Sequence, residues 1–245
     1  ALPSTSSSSS SMSFPLQNQV ICVTGASSGI GAAIVQALYA QGASVAFGAR
    51  RFAKLQEVAQ NIEKECPDSP GNLFPVECDV TKRESVHNFV SETCKHYGVE
   101  VLDSFVACAG VMYFTEMKNA KLDEWEKTID VNCKGVANSF GAVIPGMVKA
   151  GKGKIVTITS DAGSRLFPSL AMYCASKHFG EVLSEITRRE LVGTGVTLHT
   201  IQPGDVKGTE LILNNSDQSA AEKLGVQIGK PVGEGFTRNQ LLDPQ

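Results

Sequence analysis

From residue 19 onward, short apolar runs alternate with segments whose apolar residues recur at helical spacing, and this rhythm restricts the chain more than any other feature. Strands that each lead into a helix pair in parallel, because the helix carries the chain back to the start of the next strand. Six runs read as strands: VICVTG at 20–25, SVAFGA at 44–49, LFPVECDVT at 73–81, VLDSFVACAG at 101–110, GKIVTITS at 153–160 and GVTLHTIQPG at 195–204. Between them, IGAAIVQALYAQG sets Ile30, Ile34, Ala37 and Leu38 on one helical stripe and stops at Gly42. Further helices are expected from Phe52 to Lys64, ended by Pro67, from Arg83 to His96, from Glu124 to Met147 as one long helix, and from Tyr173 to Leu191. The pattern predicts one α/β domain over residues 15–245, a doubly wound parallel sheet with helices on both faces. After Gly204 the regularity fades, and residues 205–245, rich in Gly, Asn, Ser and Asp, contain no further buried-strand run.

A hydrophobic share of 42% is enough for a sizeable core. The net charge of −3 and the scattered basic residues argue against nucleic acid as a partner. No apolar run approaches the roughly 20 residues that span a bilayer, so no membrane partner is expected. Seven cysteines form no CxxC pair, which points to a reducing, cytoplasmic setting. Four histidines share no ligand-like spacing, and no metal is expected. Residues 1–14, ALPSTSSSSSMSFP, lack the basic and apolar regions of a secretory signal and read as a disordered serine-rich tail. The acid-free, serine-rich composition also fits the remnant of a plastid or other organellar transit peptide, against which the lack of arginine counts.

The glycines of VTGASSGIG fall between the first strand and the first helix, where a tight turn lets a pyrophosphate approach backbone N–H groups. Gly25, Ser27, Ser28, Gly29, Ile30 and Gly31 are therefore candidate cofactor-binding residues, although a glycine-rich turn with no ligand has the same look when taken alone. At the end of the second strand, where an acid would bind a ribose 2′-hydroxyl, stand Ala49, Arg50 and Arg51. Arginine forks suit a 2′-phosphate, with Ser27 adding a hydroxyl, so the cofactor expected is NADP(H). The plainer alternative is a pair of solvated arginines at a helix start.

In YCASK, Tyr173 and Lys177 lie four residues apart, on one face of a helix, where the ammonium favours a phenolate. With CDVT at 78–81, CAG at 108–110, Asn132 in DVNCKG, Ser160 in ITSDAG and QPG at 202–204, the chain resembles the short-chain dehydrogenase/reductase family over about residues 19–210. The resemblance implies a Rossmann-like fold. It makes Tyr173 the general acid and base at the substrate oxygen and Ser160 a hydrogen-bond donor to that oxygen. Lys177 would bind the nicotinamide ribose, and Asn132 would hold a water in a proton relay from Lys177. Asp79 would accept from the adenine amino group, Val80 would lie along the ring, and Ala109 and Gly110 would offer backbone contacts. Pro203, Gly204 and Val206 would also bind the cofactor, Thr209 would meet the nicotinamide carboxamide, and residues 205–240 would form the substrate-binding loop region. Taken singly, Ser160 also reads as a strand-end cap, Asn132 as a helix-interior amide and Lys177 as a snorkelling surface lysine.

Two departures from the family pattern stand out. Ala107 and Cys108 replace two asparagines that would brace the fold, and the family's last helix and strand have no counterpart before LLDPQ. The chain is then a fragment or one with altered assembly, the complete protein being expected as a homodimer or homotetramer. PGDVKGT after the sixth strand, with the ARR segment and PGMV at 145–148, resembles the branch acting on 3-hydroxy acids, serine and small alcohols. Arg165 is a candidate partner for a substrate carboxylate or a plain surface arginine. The leading expectation is an NADP(H)-dependent enzyme moving hydride between nicotinamide and a small alcohol or ketone. The alternatives are a reductase of 3-oxoacyl carriers or of steroid or terpenoid ketones, and, in another class, a cofactor-binding regulatory protein without turnover.

Overall fold

The computed structural model describes residues 13–206, 209–211 and 213–229. Six strands form one parallel sheet: β1 Val20–Thr24, β2 Ser44–Ala49, β3 Leu73–Glu77, β4 Ser104–Ala107, β5 Gly153–Ile158 and β6 Val196–Ile201. Their order is β3-β2-β1-β4-β5-β6, so the direction of winding reverses beside β1. In such sheets ligands bind at that reversal, outside the carboxyl ends of the strands.

Alternation along each strand sends side chains to two cores. Val20 and Cys22 of β1 join Phe105 and Ile155 in the first core, where α3 (Arg83–Tyr97) contributes Phe89 and α5 (Gly135–Ala150) contributes Phe140 and Met147. Ile21 and Val23 face the other way. They pack with Val35 of α1 (Gly29–Ala40) and with Leu55 and Ile62 of α2 (Phe52–Glu65). A third, smaller cluster joins Met112 and Phe114, which follow β4, to Leu170, to Tyr173 and Cys174 of α6 (Ala171–Glu190), and to Ala220 and Leu224 of α7 (Gln218–Leu224).

The sheet and the doubly wound, Rossmann-like architecture accord with the sequence reading; several details differ. The inner stripe of α1 runs through Gly31, Val35 and Tyr39, while Ala37 is exposed. Ala37 lies two residues, about 200° of helix, from Val35. The expected long helix is interrupted: α4 covers Leu122–Thr128, a π-helical turn follows at Ile129–Lys134, and α5 continues. One extra residue in a turn barely alters apolar periodicity, so the pattern concealed it. β3 stops at Glu77, because Asp79 Oδ1 accepts from the Thr81 amide and hydroxyl and bends the chain. α7 was not foreseen; it is two turns long, capped by Asp217 and ended by Gly225 at φ 64°. Of the expected tail, residues 1–12 lie outside the described residues, and Phe14 packs close to Gly42. Of the expected substrate loop and of the chain end at LLDPQ, residues 207, 208, 212 and 230–245 likewise lie outside them.

Candidate active site

A cleft of about 490 Å³ opens at the carboxyl ends of the strands. It is lined by Gly25, Ser27, Ser28, Gly29, Ile30, Gly31, Arg50, Arg51, Asp79, Val80, Ala109, Gly110, Ser160, Tyr173, Lys177, Pro203, Gly204, Val206 and Thr209. Every residue named from the sequence for the catalytic group or for cofactor binding is there except Asn132, which stands behind the wall. Arg165 is exposed and does not line the cleft.

The glycine turn fits a pyrophosphate. Gly25 and Gly29 have φ of 70° and 56°, and a Cβ at Gly25 would lie 2.5 Å from the Ala109 Cα. A Cβ at Gly31 would lie 2.3 Å from the Gly25 carbonyl oxygen, so this glycine lets α1 press against the turn. Ser28, the N-cap of α1, makes no side-chain cap hydrogen bond, and the first turn holds no acid. The amides there face an anion without a competing carboxylate on their own helix.

At the other end, Tyr173 and Ser160 are buried on neighbouring elements, α6 and the end of β5. Lys177 Nζ sits 5.6 Å from the Tyr173 ring centroid and donates to the Ile158 carbonyl at 3.2 Å, so it is tethered inside and not snorkelling. A Cβ on Gly110 would come within 3.6 Å of Lys177 Nζ and 3.5 Å of Asn132 Oδ1, so these three groups converge. The Asn132 side chain, on the π turn, is spent on structure. It accepts from the Val111 amide and donates to the Val111 carbonyl and the Ser176 hydroxyl, each at 2.9 Å. Ser176 in turn donates to the Tyr173 carbonyl at 2.7 Å, which links the π turn to the first turn of α6. Ser160 Oγ accepts from the Ala162 amide at 3.2 Å and donates to Asp161 Oδ1 at 3.0 Å, so the capping role weighed from sequence is also present.

Two thiols line the cleft. Burial pushes Cys78 up to about 12 and Cys108 up to about 11, the latter against the pull of Lys177, so both stay protonated at neutral pH. Thr24 braces the chain at this point, its hydroxyl accepting from the Cys108 amide at 3.2 Å and the Ala109 amide at 3.4 Å.

The sequence reading missed three further groups. Glu210, also in the cleft wall, pairs with Arg51 at 2.7 Å. Arg51 also donates to Ser27 Oγ at 2.9 Å and Ser28 Oγ at 3.3 Å, whereas Arg50 has no hydrogen-bond or ion-pair partner among the described residues. Asn215 and Asp217 fasten α7 to the segment after β4: Asn215 Oδ1 accepts from the Phe114 amide, and Asp217 accepts from the Glu116 amide at 2.9 Å and from Asn119 Nδ2 at 2.9 Å. The only advance signal was the Asp217 and Gly225 cap pair.

A family model described as short chain dehydrogenase matches residues 19–220. The chain belongs to the short-chain dehydrogenase family. Among relatives of this dehydrogenase, glycine betaine reductase ATRR of Emericella nidulans is 43% identical over 233 residues, which are 94% of this chain and 17% of that protein. The chain thus spans about a sixth of that relative's length. An alcohol dehydrogenase of Thermococcus sibiricus, solved with 5-hydroxy-NADP, is 31% identical with a TM-score of 0.70, the match covering 77% of each chain. A metagenomic short-chain oxidoreductase in complex with NADP is 33% identical with a TM-score of 0.70, covering 78% of this chain and 84% of that one. No helix among the described residues is long and apolar enough to cross a membrane.

Proposed function

We propose that this oxidoreductase uses NADP(H) to interconvert a small secondary alcohol and its ketone, with Tyr173 as general acid and base. The observation that carries the reading is the convergence of Tyr173, Lys177 and Ser160 in the cleft whose far end holds the glycine turn and Arg50. The open amides at the start of α1 suit the pyrophosphate, and Arg50, without a partner among the described residues, suits a 2′-phosphate. That two structural relatives were solved with NADP or a derivative of it supports the same choice. Asp79 and Val80 would meet the adenine, and Thr209, packed toward Gly29, would meet the carboxamide.

The bound nicotinamide supplies or takes the hydride. In reduction, negative charge grows on the carbonyl oxygen; the Tyr173 phenol gives its proton there while the Ser160 hydroxyl, turned from Asp161, donates a hydrogen bond. Lys177 holds positive charge beside the phenol as the proton leaves and would also bind the ribose hydroxyls. The Asn132 side chain is taken up by Val111 and Ser176, so its part in a proton relay would run through the backbone opened by the π turn. Oxidation runs the same steps backwards.

Lys127, 5.8 Å from the Tyr113 ring centroid and also in the cleft wall, supports a substrate carrying a carboxylate, such as a 3-hydroxy acid. The likeness to a glycine betaine reductase favours a second reading, reduction of an aldehyde, because a carboxylate reduced by hydride passes through that stage. Exposed Phe179, Val182 and Ile186, which recur along α6, support a homo-oligomer in the complete protein. The test is a panel of ketones, 3-hydroxy acids, small alcohols and a betaine-derived aldehyde, assayed by the absorbance of reduced nicotinamide, with Tyr173→Phe beside the wild type. Turnover should fall on the order of 100- to 10,000-fold while NADPH still binds. Turnover equal to wild type in the variant refutes the assignment.

A further inference from the structure

Resting on the reading that Arg50 and Arg51 face the 2′-phosphate of the cofactor, we infer that Glu210 is a cofactor-specificity residue. Its carboxylate sits as an internal anion in the slot that phosphate must enter, and so tempers the preference for NADP(H) over NAD(H).

The slot is made of Arg51, Ser27 and Ser28 at the mouth of α1. Arg51 spans the two serine hydroxyls, and a Glu210 carboxylate oxygen lies 2.7 Å from the same guanidinium nitrogen. The Arg51 hydrogen bond holds the Glu210 carboxyl below the usual carboxylate range, so the group is ionised at neutral pH. A doubly charged phosphate arriving at the end of β2 meets an arginine already paired with an anion. It must displace Glu210 or share Arg51 with it, and either raises the cost of binding. A ribose 2′-hydroxyl carries no charge and leaves the pair intact. Arg50, free of partners among the described residues, offers the uncontested half of the site. The two adjacent arginines are therefore not equivalent: Arg50 attracts the phosphate, and Arg51 is held in check.

The same contact ties cofactor choice to the segment after β6. Glu210 follows Thr209, whose methyl would lie 3.3 Å from a Cβ on Gly29. The pair lies partly in solvent, with side-chain exposures of 50% and 42%, so its influence is moderate and sensitive to salt.

The experiment titrates wild type, Glu210→Gln and Glu210→Ala with NADPH and NADH, and with adenosine 2′,5′-bisphosphate and adenosine 5′-monophosphate. The second pair lacks the nicotinamide and isolates the phosphate slot. At low ionic strength both variants should raise the NADPH-to-NADH affinity ratio about fivefold or more, and the bisphosphate-to-monophosphate ratio likewise, and added salt should shrink the gain. Unchanged or lower ratios overturn the inference, as does an equal loss for both nicotinamide cofactors, which would make Glu210 a plain strap. Thermal melts of both variants verify folding. If wild type binds NADH as well as NADPH, the NADP reading fails on that comparison alone, while the shift in ratio between wild type and variant still decides the role of Glu210.

Discussion

Replacing Asp217 by alanine should release the outer wall of the substrate end and leave the cofactor end intact. Asp217 is 1% exposed and caps α7, accepting from the Ala220 amide at 3.1 Å. It also accepts from the Glu116 amide and the Asn119 side chain, both at 2.9 Å, and these lie about a hundred residues earlier in the chain. Loss of the cap costs about 1 kcal/mol, and stranding the donors of Glu116 and Asn119 costs about 1–3 kcal/mol more, for a total of roughly 2–4 kcal/mol. If that cost falls on global unfolding, the melting temperature drops by about 4–16 °C, at about 2–4 °C per kcal/mol for a domain of this size. If α7 undocks locally, the melt moves less, and the amides of Phe114 and Glu116 exchange faster. In both cases KM for the substrate rises with the affinity for NADPH unchanged, because Met112 and Phe114 line the cleft and share a cluster with Leu224. The lone tryptophan, Trp125, donates to Thr115 Oγ1 at 2.9 Å beside this clasp, so its fluorescence reports the undocking. A variant with unchanged melt, exchange and KM refutes the reasoning.

Acid should loosen the same clasp. Burial pushes the Asp217 carboxyl up, but the hydrogen bonds from Asn119, the Glu116 and Ala220 amides and Ser219 outweigh it and hold the group at about 2. A folded value below the ordinary one near about 4 means stability that is complete above that value and lost as pH falls from about 4 to 2, which acid titration of Trp125 fluorescence checks against Asp217→Asn. Glu116, held at about 2 first by Lys223 and then by Lys118 and Ser219, acts in the same direction. Replacing Arg50 by alanine should weaken NADPH about 10- to 150-fold and NADH far less, since one charge-assisted contact is lost; paired titrations check this, and equal losses would move Arg50 from the phosphate to the fold.

The glycine turn and the Tyr173–Lys177 pair of the cleft were legible because their signals are local. A glycine whose Cβ would strike a neighbouring backbone, or a tyrosine and lysine one helical turn apart, is written within eight residues. The strands could be read as apolar runs, and the turn at Asp79 only shortened one of them. What stayed hidden depends on partners far along the chain. Thr24 braces β4 across more than eighty residues, Asp217 reaches Asn119 across 98, and Glu210 finds Arg51 from the opposite side of the sheet's carboxyl edge. The π turn was hidden for another reason: the buried Thr128, Val131, Asn132, Gly135 and Val136 keep the spacings of three and four that an α-helix would share.

Hydride transfer needs its two carbons held within contact distance, so the walls at the two ends of the cleft must be set together. In this chain the strands and the glycine turn hold one wall of the cleft from beneath, and among the described residues no strand holds the opposite wall. That wall is a segment after β4 held by α7, through side chains of Asn215 and Asp217 in place of a backbone ladder. The chain reaches α7 from β6 by way of Thr209 and Glu210, which lie against Gly29 and Arg51. One covalently continuous stretch therefore touches the phosphate slot at its start and the substrate wall at its end. A change at Glu210 acts first at the Arg51 end of that stretch, whereas a change at Asn215 or Asp217 acts first at the wall built after β4. A wall anchored by side-chain bonds can be moved by a single substitution, while Tyr173 and Lys177 sit on α6 and Ser160 lies just past β5, where backbone bonds from Thr159 to Ile201 and from Asp161 to Pro203 hold the chain.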